Sequence, residues 1–204
     1  SHMGVVLAGL PLFTAVMAVV LAGERYRFGF WLFALAGACA LVMYFQRGQS
    51  DGLNELGGGL GLLALLTLAA GGLGYASGAK VARSLGGWPT ICWVLVLYLP
   101  ASALAFGYFA GLHVGVDGGG LRTVSGEVWL AVAYLALISQ WLGFRYWYSA
   151  LAQGGIGSIS QLQLLQPFFT LGFAVWLLGE PFDSSQWLYL LVIVGSVAGS
   201  IRKR

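Results

Sequence analysis

Seven apolar stretches, each about as long as a bilayer is thick, dominate this sequence of 204 residues. A membrane-crossing helix needs roughly 20 apolar residues, and a chain with so many such stretches does not fold as a water-soluble domain. Only 8% of the residues are charged, against about 25% in soluble domains. The stretches lie at about 4–22, 28–46, 57–79, 89–110, 128–149, 157–178 and 186–201.

These stretches are continuous and lack the period-2 alternation of barrel strands. The sequence therefore predicts an all-α polytopic membrane protein with seven transmembrane helices, and the lipid bilayer is its first partner. The sequence pI of 9.0 reflects basic residues scattered at the ends of the apolar stretches. That scatter favours a role in membrane orientation over a nucleic-acid partner.

The basic residues are divided unevenly between the two sides of the predicted bundle. When successive loops are assigned to alternate sides, eight of the ten Lys and Arg residues fall on one side: Arg25, Arg27, Lys80, Arg83, Arg145, Arg202, Lys203 and Arg204. Positive residues favour the cytoplasmic side. We therefore expect an integral protein of the bacterial cytoplasmic (inner) membrane with a cytoplasmic C-terminus. Seven spans then put the N-terminus outside, which is difficult for a chain with no recognisable signal peptide.

Two segments of the chain are related in sequence. The stretch "PLFTAVMAVVLAGER" at 11–25 aligns without a gap with "PFFTLGFAVWLLGEP" at 167–181, and eleven of 25 positions are identical when the alignment runs to residues 35 and 191. The shared motif residues are Pro11 and Pro167, Gly23 and Gly179, and Glu24 and Glu180. In the predicted topology the two copies cross the membrane in opposite directions. Such inverted repeats are typical of secondary transporters.

A proline, an apolar span, Gly-Glu and a further span form a pattern that resembles the EamA-like branch of the drug/metabolite transporter superfamily. The stretch "GGWPTICWVLVLYLP" adds to this resemblance. It implies ten spans in two inverted halves of five, with both termini cytoplasmic. Residues 1–46 would be the last two helices of the first half, 47–56 an outer loop, and 57–204 the complete second half. Three N-terminal helices would be missing, which resolves the difficulty with the N-terminus.

Polar side chains in the sixth stretch are the first candidates for a substrate site. At about 100° per residue, Gln163, Gln166 and Thr170 share one helical face, which Phe173 extends. Amides both donate and accept hydrogen bonds, which suits a zwitterionic or amphipathic substrate. The resemblance implies a cavity between the two halves near the membrane centre. Hydrogen bonding between helices is the alternative interpretation.

An aromatic face with one cation is the second candidate. Tyr134, Trp141, Arg145 and Tyr148 share a face of an ideal helix in the fifth stretch. Arg145 would hold a carboxylate, and the rings an apolar or cationic group. Alternatively, Arg145 extends to the headgroups and the aromatics form an interfacial belt. Tyr75 in the third stretch is a further candidate for binding or gating.

The repeated motif residues are given structural roles. We expect the prolines to kink their helices, and Glu24 and Glu180 to end a helix and pair locally; proton coupling is the less favoured alternative. The sequence has no nucleophile triad, no metal-ligand spacing and no phosphate loop, so we expect no cofactor, no metal and no enzyme activity.

Two functional hypotheses follow from the sequence. The first is a secondary transporter, exporting small metabolites such as amino acids or amines by alternating access; its substrate and direction rest on the resemblance. The second is an inactive truncated transporter, or a subunit that needs the missing spans or a second copy in a homodimer to complete its cavity. A membrane enzyme is a distant third class.

Overall fold

The computed structural model describes residues 2–46, 59–117, 125–179 and 186–202. Seven helical elements run through these ranges: α1 (His2–Ala22), α2 (Phe28–Gln46), α3 (Gly59–Leu85), α4 (Gly87–Asp117), α5 (Gly126–Gly154), α6 (Ile156–Leu178) and α7 (Gln186–Arg202). Their positions follow the predicted apolar stretches. The predicted outer loop at 47–56 and Glu180, Lys203 and Arg204 lie outside the described residues.

In the described part of the chain, five helices are long and apolar enough to cross a membrane, namely α2 and α6 and the apolar parts of α3, α4 and α5. Two shorter apolar helices, Ala8–Ala22 and Gln186–Arg202, accompany them. Many large apolar side chains face outwards, such as Leu97 at 73% and Leu104 at 77% exposure. A surface of this kind is stable only against hydrocarbon. The protein is therefore an all-α polytopic membrane protein, as predicted.

Helix α5 changes its winding part of the way along. An α-helical segment from Gly126 to Tyr134 gives way to a π-helical stretch, Leu135–Gly143, and α-helix resumes at Phe144. A π-helix bonds residue i to i+5 and advances through a smaller angle per residue than an α-helix. Residues on either side of the stretch are therefore rotated relative to the positions that an ideal helix gives them.

Helix α6 tightens in its first half. Residues Gln161–Leu165 form a 3-10 stretch between Ile156–Ser160 and the α-helix that starts at Gln166. Pro167 has no backbone N–H, and its ring crowds the carbonyl of residue 163, which disfavours regular α-helix just before it; it lies in the first turn of the α-helix that starts at Gln166. The two unusual stretches, in α5 and α6, carry four of the eleven residues that line the cleft described below.

Glycines bring the helices into close contact. Helix α1 packs along α3, where Gly72 of α3 lies against the backbone of Phe13 and Gly71 against Leu10. Helix α2 packs along α7, where Gly199 lies against the ring of Phe33. A Cβ atom at these positions would overlap its neighbour. Small residues are the usual means by which membrane helices approach each other.

One end of the bundle has a closely packed interior that we call the alanine core. It consists of Ala18, Ala76, Ala79, Ala82, Ile91, Tyr148, Leu151 and Ile156, all buried, from α1, α3, α4, α5 and α6. Gly78 leaves room for the Tyr148 ring, since a Cβ at Gly78 would overlap it. Five helices thus meet here without a gap for a solute.

The two copies of the repeat share local structure. Gly23 and Gly179 follow the ends of α1 and α6 with φ of 66° and 67°, the left-handed conformation that glycine adopts without strain. The Thr14 hydroxyl donates to the carbonyl of Leu10 at 2.8 Å, and the equivalent Thr170 hydroxyl donates to that of Gln166 at 3.1 Å. The recurring Gly and Thr are therefore explained by helix termination and by bonding within the helix.

Candidate functional site

A cleft of about 470 Å³ lies between α3, α5 and α6. Its lining consists of Tyr75, Ser139, Gly143, Phe144, Trp147, Leu162, Gln163, Gln166, Phe169, Thr170 and Phe173. The π-helical stretch supplies Ser139 and Gly143, and the 3-10 stretch supplies Leu162 and Gln163. The irregular windings of α5 and α6 therefore face each other across this cleft.

Among the described residues that line the cleft, two polar atoms are buried without a hydrogen-bond partner. One is the Oε1 of Gln163. The indole Nε1 of Trp147 is likewise buried and unpaired. One is an acceptor and the other a donor. Buried polar atoms are nearly always paired, so an unpaired acceptor and donor beside one cleft indicate a place for a polar solute.

Aromatic rings form one wall of the cleft. The Tyr75 ring lies 6.1 Å from Phe144 and 6.0 Å from Trp147, measured between ring centroids. On α6, Phe173 lies 6.4 Å from Trp176 in the same measure. The negative faces of such rings attract cations, and their area attracts apolar groups.

A second cleft of about 340 Å³ lies on the opposite flank of α6, towards α2. It is lined by Tyr44, Phe45, Gln166, Pro167, Thr170, Leu171 and Ala174. Gln166 and Thr170 line both clefts. These two side chains therefore lie between the two clefts, one of which faces α3 and α5 and the other α2.

The two clefts carry no formal charge among their described lining residues, which include no Asp, Glu, Lys, Arg or His. An ion with a net charge would lose its hydration here without an opposite charge nearby, which is costly. In the part of the chain that the structure describes, no group of three or more potential metal ligands occurs either. The chemistry of the lining suits a solute of zero net charge.

The structure brings one predicted group of residues together. Tyr75, Gln163, Gln166 and Thr170 all line the larger cleft, and Phe173 lies beside them. The hydroxyl of Thr170 already donates to the Gln166 carbonyl, so Thr170 offers a solute only its acceptor side.

The neighbouring glutamine in the 3-10 stretch has a different position. Gln161 is fully buried, and its Nε2 lies 3.4 Å from the carbonyl oxygen of Pro11. Gln161 therefore fits the alternative interpretation for this span, in which a glutamine forms hydrogen bonds between helices.

The second predicted group is dispersed. Tyr134 is 61% exposed on the outer surface. Trp141 packs against Trp88, with ring centroids 4.7 Å apart, and the Arg145 guanidinium lies 4.6 Å from the same Trp88 ring. Tyr148 is buried in the alanine core. The π-helical stretch is the physical reason, because the predicted common face assumed a regular rotation through residues 135–143.

The same rotation turns other residues of α5 towards the cleft. Ser139, Phe144 and Trp147 line it, although no pattern in the sequence singles them out. The chain has eight Trp residues, so the presence of a Trp at a given position does not predict that it lines a cleft. Only knowledge of the π-helical stretch would have separated these side chains from the lipid-facing ones.

Glu24, from the repeated motif, makes contacts far from its own helix. Its carboxylate pairs with Arg83 of α3, accepts from the Tyr26 hydroxyl, and accepts the backbone N–H of Ile156 at 3.0 Å. The backbone N–H of Gly157 lies 3.4 Å from the other carboxylate oxygen. The expectation of local pairing is too narrow, since Ile156 is 132 positions away along the chain.

The fold and the exposed apolar surface define an all-α integral membrane protein with a cleft between its helices. The sequence model of the EamA-like transporter family matches residues 59–202. The chain belongs to this EamA-like transporter family.

Among curated proteins, the chain is similar to the "Uncharacterized transporter YdeK" of Bacillus subtilis (strain 168). The two are 42% identical over 183 residues, which are 88% of this chain and 59% of the relative. The chain thus spans somewhat more than half of the relative's length. No solved structure matches the chain.

Proposed function

We propose that this chain carries a small polar solute across the cytoplasmic membrane, in the outward direction, as a secondary transporter that works by alternating access. The observation that carries the proposal is the uncharged cleft with one unpaired acceptor on Gln163 and one unpaired donor on Trp147. Membership of a transporter family supports it. The outward direction rests on the resemblance to family members alone.

An amino acid is the solute class that this lining favours. Its ammonium group donates to the Gln163 Oε1, its carboxylate accepts from the Trp147 Nε1, and its net charge is zero. The rings of Tyr75 and Phe144 add contacts to the ammonium group or to an apolar side chain. A simple amine carries a net positive charge and meets no carboxylate among the described lining residues. Amines are therefore the second choice.

Charge distribution supports a cytoplasmic location for the end of the bundle at Glu24. Arg25, Arg27, Lys80 and Arg83 lie at this end, as the positive-inside rule requires. The contacts of Glu24 with Arg83 and Ile156 join the end of α1, the end of α3 and the start of α6. These three points share one side of the membrane in the predicted topology.

Solute counterflow into proteoliposomes tests the proposal. Vesicles loaded with a mixture of unlabelled amino acids are diluted into single radiolabelled ones, and accumulation of label reports carriage. We expect counterflow by the wild-type chain and a loss of about tenfold or more in the double variant Gln163→Leu/Gln166→Leu, because two hydrogen-bonding groups are removed. Gln153→Leu is the matched control, since Gln153 is exposed at the end of α5.

Equal counterflow by the double variant and the wild type would remove both glutamines from the site. Counterflow confined to amines would instead contradict the choice of amino acids.

One observation favours the second candidate function, a unit that needs further helices. The half of α6 from Gln166 to Leu178 has no buried residue, whereas its repeat counterpart in α1 contains Thr14, Ala15 and Ala18, all at 0% exposure. Helix α3 covers that face of α1. In this case the chain inserts into vesicles but shows no counterflow by itself, and the covering helices come from further spans or from a second copy.

A further inference from the structure

The carboxylate of Glu24 is the meeting point of three elements at one end of the bundle. It lies in the connection between α1 and α2, with 9% of its side chain exposed. Arg83 at the end of α3 forms an ion pair with it, and the first backbone N–H groups of α6, at Ile156 and Gly157, point at it. We call this set of contacts the Glu24 clasp.

Tyr26 contacts both Glu24 and the start of α6 within the Glu24 clasp. Its hydroxyl donates to Glu24 and accepts the backbone N–H of Gly157 at 2.8 Å. Its ring stacks on Phe30 of α2, with centroids 4.2 Å apart. The start of α6 has backbone N–H groups without partners inside the helix, and a carboxylate satisfies them and favours the positive end of the helix dipole. The charge of Glu24 therefore holds α6 as well as α3.

The clasp lies at the end where the cleft is closed. The alanine core stands between Glu24 and the cleft, and Ile156 belongs to both the clasp and the core. Farther from Glu24, the α6 side chains Phe169 and Phe173 are exposed at 66% and 57%. The alanine core therefore closes the cleft at the Glu24 end, whereas the part of α6 farther from Glu24 has no buried residue.

We propose that the Glu24 clasp is the gate that keeps the cleft shut at the Glu24 end, and that it must open when the transporter presents its cleft to that side. The inference rests on the alternating access of the proposed function. Glu24 holds α3 through Arg83 and the start of α6 through the N–H of Ile156, so separating α3 from α6 breaks at least one of these contacts. Both are charge-assisted, and removing the charge weakens both at once. Loss of the charge then shifts the population towards the state that is open at the Glu24 end.

Thiol accessibility at two reporter positions tests the gate. The background is a chain in which Cys39 and Cys92 are replaced by Ala. One reporter is Ala79→Cys, a position at 0% exposure in the alanine core one turn from Arg83. The other is Phe173→Cys in the cleft. Each is labelled in membranes with a water-soluble methanethiosulfonate reagent that is applied to the side of its own end.

We expect Glu24→Gln to raise the labelling rate at Ala79→Cys by about fivefold or more, and to lower the rate at Phe173→Cys. Opposite changes at the two ends are the signature of a gate, because a protein that is only loosened exposes both positions. Arg83→Gln should act in the same direction, and since Arg83 is 35% exposed this variant removes the pair without disturbing the interior. Glu127→Gln, at an exposed glutamate at the start of α5, is the control and should change neither rate.

An unchanged rate at Ala79→Cys in both variants, or a parallel rise at both reporters, would overturn the gate. If Glu24→Gln yields no folded protein, Arg83→Gln alone decides between these outcomes. Labelling requires no solute. The labelling experiment can therefore contradict the gate without contradicting the proposed solute class, and the counterflow experiment can do the reverse. Reporters that respond in opposite directions in a chain without counterflow would support the gate and contradict the proposed solute class.

Discussion

Two atoms, the Gln163 Oε1 and the Trp147 Nε1, carry the recognition that we propose for the cleft. Leaving a buried donor or acceptor without a partner costs about 1–3 kcal/mol, and the two lie beside the same cleft. A solute that supplies both partners recovers that free energy, whereas a solute with only one recovers part of it. The recognition of a solute by this chain should therefore depend on each atom separately.

Trp147→Phe tests the donor. Phe retains the ring but has no N–H, so affinity for a transported amino acid should fall about fivefold, the equivalent of ~1 kcal/mol. Affinity for the matching amine, which lacks the carboxylate, should not change. Equilibrium binding of radiolabelled solute to purified protein measures both. The control is Trp129→Phe, a half-exposed Trp of α5 outside the cleft; an equal loss in the two variants would contradict the role of Trp147.

The polar lining could be predicted from sequence in part. Gln163, Gln166 and Thr170 stand out in an apolar span because polar side chains are costly in lipid, and Tyr75 stands out by its depth in its own span. Trp147 and Ser139 could not be found in this way. Aromatic side chains face lipid, belt regions and cavities alike, so their position depends on winding that the sequence does not display.

At the scale of elements, the π-helical stretch of α5 is the largest difference between expectation and structure. An ideal helix puts Tyr134, Trp141, Arg145 and Tyr148 on one face. The wider winding at Leu135–Gly143 instead leaves Tyr134 on the surface and Tyr148 in the alanine core. The expectation of local pairing for Glu24 was too narrow for a related reason, since Tyr26 is a local partner but Arg83 and Ile156 are distant ones. Contacts that link α1 to α3 and α6 depend on how the helices pack, and the sequence around Glu24 does not predict them.

Close packing of α3 on α5 leads to a prediction at this scale. Gly78 lies against the buried Tyr148 ring, whereas a Cβ atom added at Gly74 on the same helix would have no neighbouring atom within 4 Å. Alanine stabilises a helix by about 0.5–1 kcal/mol relative to glycine, but overpacking costs about 1–3 kcal/mol. Gly78→Ala should therefore lower the thermal unfolding midpoint in detergent, and Gly74→Ala should keep or raise it. Equal midpoints would show that the Tyr148 ring moves aside freely.

At the scale of the whole molecule, the fold class follows directly from the apolar stretches, since only helices and closed barrels satisfy all backbone hydrogen bonds in hydrocarbon. The repeat in sequence is matched by glycines of the same conformation and by threonines with the same bond. The arrangement of the helices could not be predicted in the same way, because the sequence does not show which face of α6 another helix covers. In the structure, the half of α6 from Gln166 to Leu178 has no buried residue, whereas its counterpart in α1 has several. The division of residues 1–46 and 57–204 into parts of two halves stays a prediction.

The measurement that tests the central claim most directly is protection of the cleft by the solute. Ser139→Cys, in the chain without Cys39 and Cys92, places a thiol in the lining. A solute that shows counterflow should slow the labelling of this thiol about fivefold at saturation, because bound and free states compete for the reagent. Labelling of Ser125→Cys, exposed just before α5 and outside the cleft, should be unaffected. A transported solute that leaves the rate at Ser139→Cys unchanged would show that the path of transport lies elsewhere.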